Sequence, residues 1–198
     1  MEVSAHALYF GKVDGITFEY CIFTNLTEDH LDFFKNMEEY AAAKEKLFLP
    51  DKCKCAILNF DDEEGRKLAS FTAKSVSYAL DNPSDVFAVD IADTVDGCRY
   101  IINLFDELYE IGLNMTGRHN VYNSMAAAEC AKLAGIPVSV IAEGLGSLEK
   151  VSGRLERAGG YRGADIFVDF AHTPDGLEKS LRALRPHCKG RLICLFGC

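Results

Sequence analysis

The chain has 198 residues, 48% of them hydrophobic and 26% charged, the composition of a folded globular protein of one or two domains. Its formal net charge of −9 excludes a nucleic acid as the main partner, because binding a polyanion needs a basic stripe. No apolar run reaches the roughly 18 residues of a membrane span, and no basic-then-apolar leader opens the sequence, so no membrane partner is expected and the cytoplasm is the expected location.

In chain order, residues 18–23 (FEYCIF) read as a first strand, ending in TNLTED, a run of turn and cap formers. Residues 36–48 (NMEEYAAAKEKLF) are strong helix formers, with Met37, Tyr40, Ala41, Lys44 and Phe48 on one face. A lysine on that inward stripe is unusual. Its plain reading is a stem that covers apolar surface while the ammonium reaches water. Residues 55–60 (CAILNF) read as a second strand, with one of Cys53 and Cys55 expected inside and the other outside, and DDEEGR as an acidic turn after it. Further strands are read at 75–80, 86–91, 98–104 and 109–115. A helix of small apolar residues runs from 120 to 134, stopped by Gly135 and Pro137, and a short helix follows at 138–145. The eight cysteines form no paired CxxC spacing, so they read as structural or incidental thiols rather than metal ligands. No disulfide is expected in a reducing compartment.

Residues 147–163 carry Gly153, Gly159, Gly160 and Gly163 and place a domain boundary near 150. A strand at 164–170, a helix at 174–184 and a strand at 191–196 then predict a parallel pair with a crossover helix. The expected fold class is α/β. Residues 1–150 form a mostly parallel sheet flanked by helices, and residues 151–198 an incomplete Rossmann-like domain.

Three blocks carry chemistry. In TNLTEDHLDFF, His30 stands between acids, and Lys44 follows fourteen residues on; taken alone, the histidine reads as a capping or hydrogen-bonding residue. In GRHNVYNSMAAA, Asn120 and Asn123 stand three apart at a helix start, as caps or as amides able to donate to and accept from an adenine edge. In VDFAHTPDGLEKSL, Asp169 ends a strand and His172 lies in the turn before a helix, where open α/β sheets bind ligands.

Taken together, the wording and order of six blocks resemble the Mur ligases, within them the branch that builds the UDP-N-acetylmuramoyl tripeptide. The blocks are MEVSAHAL at residues 1–8, FTNLTEDHLD at 23–32, MEEYAAAKEKLF at 37–48, GRHNVYN at 117–123, VSGRLE at 151–156 and DFAHTPDGLE at 169–178. The closing LICLFGC at 192–198 is similar to the strand before a glycine-rich turn of that family.

The resemblance implies an ATP-dependent ligase of peptidoglycan synthesis. Such an enzyme activates UDP-MurNAc-dipeptide as an acyl phosphate and joins a diamino acid to it. It implies Mg²⁺ held by Glu2 and His30, and a Lys44 carbamylated by CO₂, with Lys44 and His30 catalytic. It further implies ATP contacts at Asn120, Asn123, Arg154, Asp169 and His172, and UDP-sugar contacts at Ser4 and Lys12. The family pattern is altered at Ala5, Phe10, Lys12, Phe34 and His119. No G-x-x-x-x-G-K-[ST] phosphate loop occurs, so the chain is expected to be an N-terminally truncated central domain with the start of a C-terminal domain, inactive alone. Two alternatives stay open, a non-catalytic remnant that binds a nucleotide or a partner, and a ligase like folylpolyglutamate synthetase. Oligomeric state is not legible.

Overall fold

A computed structural model describes residues 1–197. Six strands form one sheet in sequential order: β1 (Phe18–Phe23), β2 (Cys53–Asn59), β3 (Ser75–Ala79), β4 (Val86–Thr94), β5 (Gly97–Leu104) and β6 (Glu107–Leu113). β1 to β4 are parallel, and β4 to β6 form an antiparallel meander, so the expected mostly parallel sheet is present. β2 is buried along nearly its whole length, as a strand covered on both faces must be. One face packs against α4 (Arg118–Leu133) and α5 (Val138–Ser147) through Ile57, Tyr100 and Ile102 facing Val121 and Met125. The other face buries Phe23, Ala56 and Leu58 against Phe48 and Leu68. No helix among the described residues is long and apolar enough to cross a membrane.

Two short helices were not expected from the sequence. α1 (Ala5–Tyr9) starts where the Ser4 side chain accepts a hydrogen bond from the Ala7 amide at 3.2 Å. α3 (Glu63–Leu68) occupies the acidic segment expected to be a turn. There Asp62 accepts from the Glu64 amide at 2.9 Å, and Glu63 and Glu64 complement the helix dipole. α2 (Met37–Glu45) is capped by Asn36, then tightens into a 3₁₀ turn at Lys46–Phe48. Cys53 and Cys55 are both buried, with Lys54 exposed between them, because residues two apart on a strand share a face. This corrects the expectation that one of the two would be exposed.

The C-terminal part departs most. β7 (Glu156–Tyr161) and β8 (Ala164–Val168) form an antiparallel hairpin. Its two-residue loop, Arg162 and Gly163, has positive φ at both positions (51° and 82°), the geometry that matches strand twist. α6 (Pro174–Leu184) follows, capped by Thr173. The expected strand at 191–196 pairs with nothing among the described residues, and Ile193, Leu195 and Phe196 are exposed. A parallel pair needs cover on both faces, and one helix supplies only one. Cys198 lies outside the described residues.

The hairpin and the 3₁₀ turn that follows α6 (Arg185–His187) are tied to the sheet by specific contacts. Arg157 Nη1 lies 2.6 Å from Asp96 Oδ1, and His187 Nε2 lies 3.4 Å from Asp93 Oδ2. Asp93 also accepts from Thr116 Oγ1 at 2.8 Å and from the Gly117 amide at 3.1 Å, which fixes the start of α4.

Candidate functional site

β1 and the loop at its carboxyl end face a cleft bounded by α1, α2 and α4. A cavity of about 680 Å³ lies there, lined among others by Glu2, Ser4, Asp29, His30, Lys44 and Asn123. Glu2, His30 and Lys44, three residues spread over more than forty positions, thus line one cavity. α2 presents Lys44 inward because Tyr40 and Ala41 on the same stripe are buried. The Lys44 ammonium stands 5.1 Å from the centre of the Tyr40 ring. It has no hydrogen bond or ion pair among the described residues. Burial lowers its pKa, and the carboxylates of Asp29, Asp62 and Glu2 oppose that shift. A lysine in this state supplies neutral amine more readily than one in water.

His30 sits in a left-handed backbone conformation, φ 56°, with its amide donating to Asp29 Oδ1 at 2.8 Å. Its Nε2 lies 3.5 Å from Asp29 Oδ2, and the His6 ring meets it edge-on at 4.7 Å. A non-glycine residue held in this region marks a place where surroundings over-determine the backbone. Among the described residues, no three His, Cys, Asp or Glu side chains gather closely enough to hold a metal unaided. Ser4 lines the cavity while capping α1, whereas Lys12 is exposed and lines none of the cavities described in this section. Phe34, at one of the altered positions, is buried beside Tyr40 and serves as core.

A second cavity, about 500 Å³, lies between α4, the end of α5 and α6, and takes in Asn120, Asn123, Arg154 and Asp169. Asn120 is buried, with Nδ2 donating to the Thr116 carbonyl at 2.8 Å; Asn123 is exposed. The Asp169 carboxylate accepts from the Leu155 amide at 2.7 Å, the Ala171 amide at 2.8 Å and Ser180 Oγ at 3.1 Å. It therefore joins the loop before β7 to α6. The Arg154 guanidinium lies 5.4 Å from the Phe170 ring centre. His172 is set apart: its Nδ1 lies 3.0 Å from the Phe170 carbonyl oxygen, and its ring lines neither cavity.

A third cavity, about 510 Å³, adjoins the other two, with Asp61, Arg118, His119 and Lys179 on its walls. Burial lowers the pKa of His119, and Asp169 nearby raises it in part. Asn25 and Asn123 line all three cavities, so the three spaces meet at these two amides. Sequence reading missed Asn25, which it took for a turn former. Its position directly after a strand of a parallel sheet was the available signal.

Residues 1–131 match the Mur ligase middle domain, and residues 153–198 match the Mur ligase glutamate ligase domain. The UDP-N-acetylmuramoyl-L-alanyl-D-glutamate–2,6-diaminopimelate ligase of Xanthomonas campestris is 41% identical over 204 residues, covering 100% of this chain and 41% of the relative. The enzyme of the same name from Clostridioides difficile is 40% identical, again over all of this chain and 42% of its own length. The chain thus spans about two fifths of the length of these relatives. A solved ligase of that name superposes with a TM-score of 0.78 at 28% identity, over 94% of this chain and 39% of that one. A MurF ligase from Thermotoga maritima, solved in complex with ADP, shares the fold at a TM-score of 0.76 and 20% identity, over 92% of this chain and 42% of its own.

Proposed function

Because the chain belongs to the Mur ligase family, through its middle and glutamate ligase domains, we propose that it forms the nucleotide- and metal-handling part of a peptidoglycan ligase. That ligase adds 2,6-diaminopimelate to UDP-N-acetylmuramoyl-L-alanyl-D-glutamate, the reaction for which the relatives are named. The γ-phosphoryl group of ATP passes to the free carboxylate of the dipeptide. The bond to ADP breaks, a P–O bond to the carboxylate forms, and ADP leaves. The amine of the incoming amino acid then attacks the acyl carbon and loses a proton, and inorganic phosphate departs as the amide forms.

In this reading Asn120 and Asn123 face the adenine, Arg154 and Asp169 the ribose and phosphates, and Ser4 the UDP-sugar; His172 and Lys12, which line none of these cavities, would have to reach the phosphates and the UDP-sugar from outside them. Bound Mg²⁺ supplies charge neutralisation at the phosphoryl oxygens. Glu2 and His30 would hold it together with a carbamylated Lys44. The Lys44 amine attacks CO₂, forms an N–C bond and releases a proton. A cation thereby becomes an oxygen ligand of the kind Mg²⁺ prefers. Glu2 and His30 line the same cavity as Lys44, and a carbamate on Lys44 would add an oxygen ligand to a set that has too few by itself.

The observation that carries this reading is the half-buried Lys44 amine, without a hydrogen bond or ion pair among the described residues, sharing a cavity with Glu2 and His30 that is open at Asn123 to the nucleotide side. Equilibration with ¹³C-bicarbonate and Mg²⁺ is expected to produce one protein-bound carbamate resonance. Lys44→Arg and Lys44→Ala are expected to lose it and to weaken Mg²⁺ binding at least tenfold, about 1.4 kcal/mol. No such resonance in the parent protein, or an equal one in Lys44→Ala, contradicts the reading.

A further inference from the structure

We propose that Asn25 is a phosphoryl-binding residue, its side-chain amide donating to the non-bridging oxygens of the group in transit between nucleotide and carboxylate. The proposal rests on the nucleotide reading above and adds a residue to it. Three observations converge on Asn25.

The first is place. Asn25 follows β1 by one residue, at the carboxyl end of a parallel strand, and lines all three cavities. A phosphoryl group moving from the Asn120 side to the Lys44 side passes the junction where these spaces meet.

The second is rigidity. Both neighbours of Asn25 are pinned from outside the loop. The Thr24 carbonyl accepts from Asn59 Nδ2 at 2.7 Å, and the Leu26 amide donates to Asp62 Oδ2 at 2.9 Å. Asn59 and Asp62 are themselves fixed, Asn59 Oδ1 by the Asp61 amide at 3.0 Å and Asp62 by its capping bond to α3. The backbone at Asn25 is therefore held without any contribution from its own side chain. Donors that need no reorganisation at the moment of reaction are the ones that stabilise developing charge.

The third is availability. An asparagine in a turn ordinarily bonds its own backbone two residues on. The Asn25 side chain makes no hydrogen bond among the described residues, and the residue is exposed to the cleft. Its neutral NH₂ donates to a phosphoryl oxygen without competing for Mg²⁺ as a carboxylate would.

The test uses the whole chain and needs no turnover. The Asn25 side-chain amide is assigned by triple-resonance NMR and followed as Mg²⁺ with ADP, and then inorganic phosphate, is added. Phosphate is expected to shift the Asn25 NH₂ resonances beyond the change made by Mg²⁺ and ADP. Asn25→Ala is expected to weaken phosphate binding, read from ³¹P line broadening, about tenfold, and Asn25→Asp more, by charge repulsion. In both variants the ADP-induced shifts near Asn120 are expected to persist. Asn25 resonances that stay still while Asn123 responds to phosphate, or an Asn25→Ala protein that binds phosphate as the parent does, overturn the proposal and leave the nucleotide reading standing. No response to ADP anywhere in the cleft overturns that reading and this proposal together.

Discussion

Between pH 4.5 and pH 8 the protein is expected to lose on the order of 4 kcal/mol of folding stability through Glu129 alone, and Glu129→Gln to abolish that slope. Glu129 lies on α4 among Met125, Ala126 and Ala128, with no exposed surface, and neither carboxyl oxygen has a hydrogen-bond partner among the described residues. Burial first, and the Asp85 carboxylate second, push its pKa up from 4.5 to about 8. The folded state thus holds the proton through a range in which the unfolded chain has released it. Stability is greatest below the unfolded pKa, falls as pH rises, and levels off above the folded pKa. The amide of Glu129→Gln is equally unpartnered but cannot ionise, so its penalty does not change with pH. Urea denaturation of both proteins at pH 5 and pH 8.5 measures the difference, since all other titrating groups are common to the two. Parallel pH profiles would show that Glu129 is ionised and solvated in the folded state.

Gly65→Ala is expected to cost at least about 3 kcal/mol, although it replaces glycine by a better helix former. Gly65 lies in the first turns of α3, where the helix crosses the end of β2. A β-carbon there would overlap the Asn59 carbonyl oxygen and lie 2.9 Å from its carbonyl carbon, with the Phe23 ring at 3.4 Å. The obstacle is strand backbone, which cannot rotate away as a side-chain tip can. Gly144→Ala in α5 is the control: a β-carbon there meets nothing within 4 Å, and a gain of about 0.5–1 kcal/mol is expected. A Gly65→Ala protein with the denaturation midpoint of the parent would sink the close-approach argument. The damage is not expected to be global alone. Asn59 positions Thr24, so displacing its backbone also moves Asn25 and the mouth of the cleft.

Most of the central sheet was legible in advance. The runs FEYCIF, CAILNF and those at 75–80, 86–91 and 98–104 are strands because β-branched and aromatic residues alternate or cluster over lengths that only a strand accommodates. The stripe of Met37, Tyr40, Ala41 and Lys44 identified both α2 and its inward lysine, and the ordered blocks identified the family. The helices α1 and α3 were not legible. Five and six residues complete too little of a helical period, and what fixes them is a single capping bond from Ser4 or Asp62. The hairpin of β7 and β8 was hidden because glycines that signal a linker also permit the left-handed turn that closes a hairpin.

By itself the sequence determined most strands of the central sheet, the helices α2, α4, α5 and α6, the family they belong to, and which residues deserved attention as ligands, since each depends on local propensity or on motif wording. Tertiary structure alone decided that Glu2, His30 and Lys44 line one cavity, that the Lys44 amine has no hydrogen bond or ion pair among the described residues, that His172 lines neither cleft cavity, and that Asn25 and Asn123 stand where three cavities meet. It also decided that residues 191–196 pair with no strand among the described residues. The physical reason is range. Helix periodicity and turn chemistry act over a few residues, whereas the cleft is assembled from α1, the end of β1, α2 and α4. Only burial of a common core brings such distant parts of the chain together.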